Sequence, residues 1–183
     1  MNEVQPIKSK RHINAVKAAL AGRNRLLFVV GVNSGLRISD ILTLKVGDVR
    51  GKDFVSIREG KTKKPKRFAL NAAIKRAVRD LVPADAPDSE YLFRSRKGAN
   101  KPISRVQAYR ILNEAVERAG LAGKIGEVGT HSLRKTFGYH AYTASADIGL
   151  LMRIFNHSSE KQTLQYIGQT QEDIDDVYVN ISL

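Results

Sequence analysis

Six side chains spread along this sequence carry complementary chemistry: Arg37, Lys61, His131, Arg134, His157 and Tyr166. They stand in the segments GLRISD, GKTKK, HSLRKTFGYH and FNHSSEKQTLQYIG. The set contains cations that can hold and neutralise a phosphate, proton donors for its oxygens, and a phenol able to attack phosphorus. That is the equipment for breaking a phosphodiester bond through a covalent intermediate, without a metal. Taken singly, none of the six is diagnostic. The ordered set is.

Each group answers a physical need. A guanidinium stays charged and offers a planar fork to two phosphate oxygens. A pentacovalent phosphorane gathers negative charge on those oxygens, so two forks favour the transition state over the ground state. Arg37 follows the Gly35-Leu36 break at the expected start of a short helix, where backbone N–H groups also attract anions. Asp40, one turn later, is placed to orient it. His131 and Arg134, at i and i+3, share one helical face.

A tyrosine hydroxyl is only roughly 0.1% ionised at neutral pH, so a phenolic nucleophile needs cations and a proton acceptor nearby. Of the six tyrosines, Tyr91, Tyr109, Tyr139, Tyr142 and Tyr178 fall in loops or apolar stripes and read as packing. Tyr166 instead closes a short helix entered from a His-Ser-Ser turn. On one continuous helix it would face away from His157. The Ser158-Ser159 break lets the two converge. The leaving alkoxide also needs a proton, and Lys61 on a hairpin tip suits that role, with Lys63 and Lys64 as alternatives.

Other motifs are weaker. Gly60-Lys61-Thr62 has the ending of a phosphate-binding P-loop, but Val55 stands where that motif needs glycine and no helix follows, so nucleotide binding is rejected. Asp85, Asp88 and Glu90 read as a solvated loop rather than a metal site. His12 and His140 have no partner pattern and read as surface and packing residues.

Bulk composition agrees. The chain has 183 residues, suited to one domain with a proper core, and a net charge of +13, which points to a polyanion partner. Residues 170–183 hold four acids and no Lys or Arg, so this tail is not expected on DNA. The absence of cysteine excludes disulfides and thiol catalysis and fits a cytoplasmic setting. No apolar run is long enough to cross a membrane, and the first residues lack the apolar stretch of a secretory signal.

Patterning predicts the elements that position these groups. Residues 9–21 form a helix capped by Ser9 and ended by Gly22, and 24–33 form a buried helix. A short helix covers Ile38–Leu44. Residues 53–59 and 66–70 alternate polar and apolar and form a hairpin with Lys61–Lys66 at its tip. Asn71 caps a helix over 72–82, and a loop with three prolines follows over 83–103. Ser104 opens a helix whose Val106, Tyr109, Ile111, Leu112 and Val116 supply apolar contacts, with Gly120 as its stop. Further helices cover 131–145, 147–155 and 160–167, the last with a Ser159/Gln162 capping box and a stop at Gly168. Ile174, Val177, Tyr178 and Ile181 line one stripe of a terminal amphipathic helix. The fold class is α+β: mostly helical, with one small antiparallel sheet.

Assembled in this order and spacing, from about Ile7 to Gly168, the motifs resemble the tyrosine recombinase family, the phage-integrase type. GLRISDIL resembles its first arginine box, giving Arg37 with Asp40 as acidic companion. GKTKKPKRFAL resembles the hairpin of the catalytic lysine, most naturally Lys61. HSLRKTF resembles the second box, giving His131 and Arg134, with Lys135 where many members have histidine. NHSSEKQTLQYIG resembles the last box, giving His157 and the nucleophile Tyr166.

The resemblance implies a site-specific DNA recombinase or integrase that forms a 3′-phosphotyrosyl bond, releases a 5′-hydroxyl, and needs no cofactor or metal. It also implies double-stranded DNA as partner, a homotetramer on that DNA, and a tail at 170–183 exchanged between protomers. The Ser104–Ala119 helix resembles the one that enters the major groove, with Arg105, Gln107 and Arg110 as DNA contacts beside Lys63 and Lys64. The whole chain, 1–183, reads as a single catalytic domain. The family's N-terminal helical DNA-binding domain is not expected here, so an accessory DNA-binding protein is a possible partner. Two other readings use the same segments: a non-catalytic DNA-binding regulator that kept the fold, and a type IB topoisomerase-like enzyme.

Overall fold

The computed structural model describes residues 4–181, apart from the side chains of Glu172, Ile174 and Val177. Helix α1 (Lys10–Ala18) starts as expected, with the Ser9 hydroxyl accepting the His12 amide. Gly22 does not end it. That glycine has φ +48° and opens α2 (Gly22–Ser34), leaving only Ala19–Ala21 as a link. Nearly the whole length of α2 from Leu26 to Gly31 is buried, so this helix is the axis of the domain. Gly35, at φ +62°, stops it in the left-handed conformation that glycine adopts without a Cβ penalty.

Two short helices follow, α3 (Ile38–Leu42) and α4 (Val46–Val49). The second was not expected. It begins where the Lys45 amide donates to Asp48 Oδ2 at 2.7 Å, a cap too local to leave a periodic pattern. Strands β1 (Phe54–Arg58) and β2 (Pro65–Ala69) pair antiparallel with Ile57 opposite Lys66 and Val55 opposite Phe68. This is the expected small sheet. Asn71 caps α5 (Ala72–Leu81), and Ser104 caps α6 (Arg105–Arg118).

The inward face of α6 is Ala108, Ile111, Leu112, Ala115 and Val116. Val106 and Tyr109 were expected to join it but are 60% and 36% exposed. They fall between the i, i+3, i+4, i+7 positions that face the core. A short helix α7 (Ala122–Ile125) leads into α8 (Thr130–Thr143), followed by α9 (Ile148–Phe155), α10 (Glu160–Tyr166) and α11 (Gln171–Asn180).

Among the described residues, buried apolar side chains form two clusters. The larger holds α1 to α7 around α2; the smaller joins α8, α9 and α10 through Leu151, Phe155 and Ile167. Helix α8 lies at the seam, with Leu133 in the first and Phe137 against the second. Two glycines permit this. A Cβ on Gly31 would collide with Leu133, and one on Gly138 would stand 2.6 Å from Phe155 and Ile167 atoms. The irregular segment leading to α1 is tied across α8, with the Ile7 amide donating to Thr136 at 2.8 Å and His140 Nε2 3.0 Å from the Ile7 carbonyl. His140 is therefore a packing residue with a defined partner.

Of the expected stripe on the terminal helix, Ile174 and Val177 lie outside the described side chains. Tyr178 and Ile181 are exposed, as is Val179. The first turn of α11 is anchored within the same chain: Lys8 meets Asp173 at 3.1 Å, and the Thr170 amide donates to Asp173 at 2.7 Å.

Candidate active site

The seam between the two clusters is where the predicted residues gather. Arg134 is 2% exposed, and two of its five N–H donors are spent on the backbone: Nη1 donates to the Gly35 carbonyl at 2.6 Å and Nη2 to the Phe155 carbonyl at 2.9 Å. Its guanidinium also lies 4.7 Å from the Phe155 ring centroid. One side chain thus joins the end of α2, the end of α9 and its own helix α8. Gly35 sits two residues before Arg37, so Arg134 also fixes the turn that delivers the other arginine.

Arg37 caps α3, with φ −70° and ψ 146°. Asp40 was expected to orient it, and the structure places another acid there. Glu59 Oε1 lies 2.9 Å from Arg37 Nη1, while Asp40 Oδ1 accepts the Gly60 amide at 2.9 Å. Asp40 therefore holds the root of the hairpin to α3, and Glu59 holds the arginine. The same Glu59 oxygen is 3.6 Å from Lys66 Nζ, and its other oxygen accepts from Thr62 at 2.6 Å. Burial works to raise the Glu59 carboxyl, but the Thr62 hydrogen bond and the Arg37 and Lys66 contacts outweigh it and hold it below the ordinary value.

Neither Glu59 nor Lys66 was singled out from sequence, although a signal existed. Val55, Ile57 and Glu59 alternate onto one face of the strand, as do Lys66, Phe68 and Leu70 on its partner. Charged residues in register with a buried face are the feature to notice. Lys64, an expected DNA contact, is exposed and donates to Asn156 Oδ1 at 3.2 Å. Lys61 and Lys63 are exposed at the tip. Lys63 has φ +58°, a turn geometry fixed by its amide donating to the Glu59 carbonyl at 2.9 Å.

The nucleophile candidate lies on the opposite wall. Asn156 takes the left-handed conformation, φ 59°, and ends α9, so the chain turns before His157 and re-enters a helix at Ser159. This break brings the His157 and Tyr166 rings to 5.0 Å, edge to face. Ser159 accepts the Gln162 amide as a cap, but the Gln162 side chain accepts from the Ser158 amide, one residue earlier than a strict capping box requires. Thr163 was missed. Its hydroxyl donates to the Ser159 carbonyl at 3.1 Å and lies 3.1 Å from His157 Nδ1. With its proton so committed, Thr163 accepts from Nδ1–H, which assigns the tautomer and leaves Nε2 as the acceptor.

Tyr166 is half-buried against Phe155, and the Lys135 ammonium lies 5.2 Å from its ring centroid. Burial pushes its hydroxyl pKa up; the charge and hydrogen bond of Arg134 and the charge of Arg37 work against that. Both histidines are shifted down. For His131 the causes are desolvation, then Arg134, Lys135, Arg37 and Lys61; for His157 they are desolvation, then Arg134 and Arg37. The imidazoles are therefore neutral near pH 7 and report a concentrated positive potential. Arg37, Lys61, His131, Arg134, Lys135, His157 and Tyr166 share one site, in cis. Arg105, Gln107 and Arg110 lie apart from it, exposed along α6. Among the described residues, no group of acids and histidines could hold a metal, and no helix is long and apolar enough to cross a membrane.

Comparison with known proteins gives a consistent picture. Residues 5–173 match the model of the phage integrase family. A protein of Bacillus subtilis (strain 168) described as the probable integrase/recombinase YoeC is 48% identical over 171 residues, 92% of this chain and 91% of its own length. Tyrosine recombinase XerA of Pyrococcus furiosus is 28% identical over 83% of this chain, which spans 52% of that protein. The crystal structure of a XerA recombinase superposes with a TM-score of 0.78 at 19% identity, covering 100% of this chain and 66% of that one. The catalytic domain of bacteriophage HP1 integrase does so with a TM-score of 0.59 at 21% identity, covering 97% and 95%. At these identities the two structures speak to the fold.

Proposed function

The chain belongs to the phage integrase family of tyrosine-type site-specific recombinases, and we propose that it cleaves and rejoins double-stranded DNA with Tyr166 as the nucleophile. One observation carries this reading. Among the described residues, Glu59 is the acid paired with the cations of the seam and Asp40 is buried beside it, so Arg37, Arg134, Lys66 and Lys135 leave an excess of buried and half-buried positive charge around a phenol. Such crowding is costly unless an anion enters. A phosphodiester is the anion that also gives the phenol something to attack.

In the proposed reaction, Arg37 and Arg134 bind the two non-bridging oxygens and gain strength as charge builds on them. The Tyr166 Oη attacks phosphorus, and its proton passes to a neutral imidazole, His131 or His157. The bond to the 5′-oxygen breaks as Lys61 at the hairpin tip delivers a proton to it. A 3′-phosphotyrosyl bond and a free 5′-hydroxyl result. Attack by a 5′-hydroxyl from a second strand runs the steps in reverse. Because the phosphodiester energy is kept in the phosphotyrosyl bond, resealing calls for no added cofactor. Lys135, beneath the Tyr166 ring, helps disfavour loss of the phenol from the site.

DNA-bound structures exist for similar recombinases, including a crystal structure of XerH on a palindromic difH substrate and the Tn1549 transposon integrase on transposon right end DNA. For this chain, the exposed face of α6 (Arg105, Gln107, Arg110) and the hairpin residues Lys63 and Lys64 are the proposed DNA contacts. A tetramer on DNA, with α11 passing between neighbours, extends the same reading. The exposed apolar Tyr178, Val179 and Ile181 support it. The proposed unit is a single catalytic domain acting in the cytoplasm.

The test is capture of the intermediate. A random-sequence pool of duplexes, each nicked so that the cleaved fragment diffuses away, is incubated with the protein and resolved under denaturing conditions. The expected result is a covalent adduct mapped to Tyr166 by mass spectrometry and absent from Tyr166→Phe. Specific DNA binding without any adduct, or an undiminished adduct in the variant, overturns the proposal.

A further inference from the structure

Lys66 has no part in the reaction just described, yet it is the better-buried lysine of the hairpin. Its side chain is 14% exposed, and it projects from the inward face of β2, opposite Ile57. From there Nζ donates to the Ile154 carbonyl at 2.6 Å and stands 3.6 Å from Glu59. Ile154 lies in the last turn of α9, where carbonyls lack helical partners and the helix dipole favours a cation. The next carbonyl, Phe155, is the one that Arg134 holds. Two consecutive carbonyls are thus taken by two cations, one from the hairpin and one from α8.

These contacts close a ring. Arg37 meets Glu59, Glu59 meets Lys66, Lys66 meets Ile154, Phe155 meets Arg134, and Arg134 meets Gly35, two residues from Arg37. We infer that Lys66, seated by Glu59, is a positioning residue that locks the hairpin carrying Lys61 to the turn carrying His157 and Tyr166, so that acid, arginines and nucleophile keep one geometry. This rests on the recombinase reading above. Its Nζ is held by the Ile154 carbonyl and Glu59. Lys66 acts through the placement of the reacting groups.

The charge of Lys66 is finely poised. Burial, Arg134 and Arg37 lower its pKa and Glu59 raises it, with the outcome about 8. Among the described residues, the charged groups that act on it are Arg37 at the start of α3, Arg134 on α8 and Glu59 just past β1. Below that pH the ammonium bonds Ile154 and attracts Glu59; above it the attraction is lost and the lock loosens.

The experiment measures single-turnover adduct formation on a nicked duplex of a sequence captured by the wild type. A second duplex carries sulfur at the 5′-bridging position of the scissile phosphate. A thiolate leaves without a proton, so the ionisation of Lys61 drops out of the rate. Lys66→Met is expected to lower the rate at saturating DNA about 100-fold, the scale of a small misplacement of reacting groups. DNA affinity should stay within about twofold, and the sulfur substrate should not restore the rate. On the sulfur substrate the wild-type rate should lose part of its value as pH rises past 8, and Lys66→Arg, charged throughout, should retain activity and lack that loss. Three results overturn the inference: Lys66→Met cleaving at the wild-type rate, rescue of Lys66→Met by sulfur, which would make Lys66 the acid, or a pure loss of DNA affinity. If Lys66→Met does not fold, an Arg variant whose pH profile matches the wild type overturns it alone. Wild type forming no adduct sinks the recombinase reading instead.

Discussion

Arg134 and Lys61 carry the same charge and serve the same site, yet their surroundings are opposite. Arg134 is 2% exposed and is anchored by two of its donors to backbone carbonyls from distant elements, leaving the others for the site. Lys61 stands in solvent at the tip of a two-stranded hairpin. The contrast follows from their tasks. A group that stabilises developing charge is most effective when it is fixed before the reaction, since no reorganisation is then needed. A proton donor must approach a leaving oxygen that exists only once DNA is seated, and an exposed, flexible lysine side chain at the turn beyond the anchored strands allows that approach. The floor of the site is built by the fold. Its rim is completed by the substrate.

Breaking the floor should have the largest effect. Arg134→Ala removes a transition-state cation and also strips donors from two carbonyls. We expect adduct formation to fall about 10³-fold and stability to drop by about 2–5 kcal/mol, from the cost of leaving buried acceptors unpaired. Single-turnover kinetics and denaturant unfolding report the two effects. Normal stability in this variant would mean that the carbonyls find other partners and that the floor is less rigid than argued.

Breaking the rim should affect rate alone. Lys61→Ala is expected to slow cleavage about 10²–10⁴-fold, the range of a positioned proton donor, with unfolding unchanged. A 5′-bridging sulfur substrate should restore most of the rate. Failure of that rescue, together with rescue of Lys63→Ala or Lys64→Ala, would move the acid to a neighbouring position.

The smallest effect concerns pH. His157 and His131 have folded-state pKa values below the ordinary 6.5. The unfolded chain therefore binds more protons in the window just under 6.5. Their contribution to stability is fully present above that pH and is lost as pH falls through the folded-state values. Melting temperature should decline between pH 7 and 5, and less steeply in His157→Asn. Equal slopes would show that the positive potential of the floor is weaker than inferred.

Much of this was legible in the sequence. The alternation at 53–59 and 66–70 predicts the hairpin, the Ser9, Asn71 and Ser104 caps predict three helix starts, and the Ser158-Ser159 break predicts that His157 can meet Tyr166. Errors cluster where a local rule competed with tertiary demand. Gly22 looked like a stop but opens α2, because only three residues link the two helices. Asp40 looked like the partner of Arg37 because it lies one turn away, whereas the actual partner, Glu59, is close only after the hairpin folds onto α3. Val106 and Tyr109 looked like core because they are apolar, and the angular limits of one helix face exclude them.

The sequence by itself determined which chemical groups are present, their order, and the helices and strands that carry them, because capping, alternation and charge are local properties of the chain. Only the tertiary structure decided who holds whom. That Arg134 ties α2 to α9, that Glu59 joins Arg37 to Lys66, and that Thr163 sets the His157 tautomer all depend on contacts between distant segments, which are selected by burial and by the need to satisfy every polar group taken out of water.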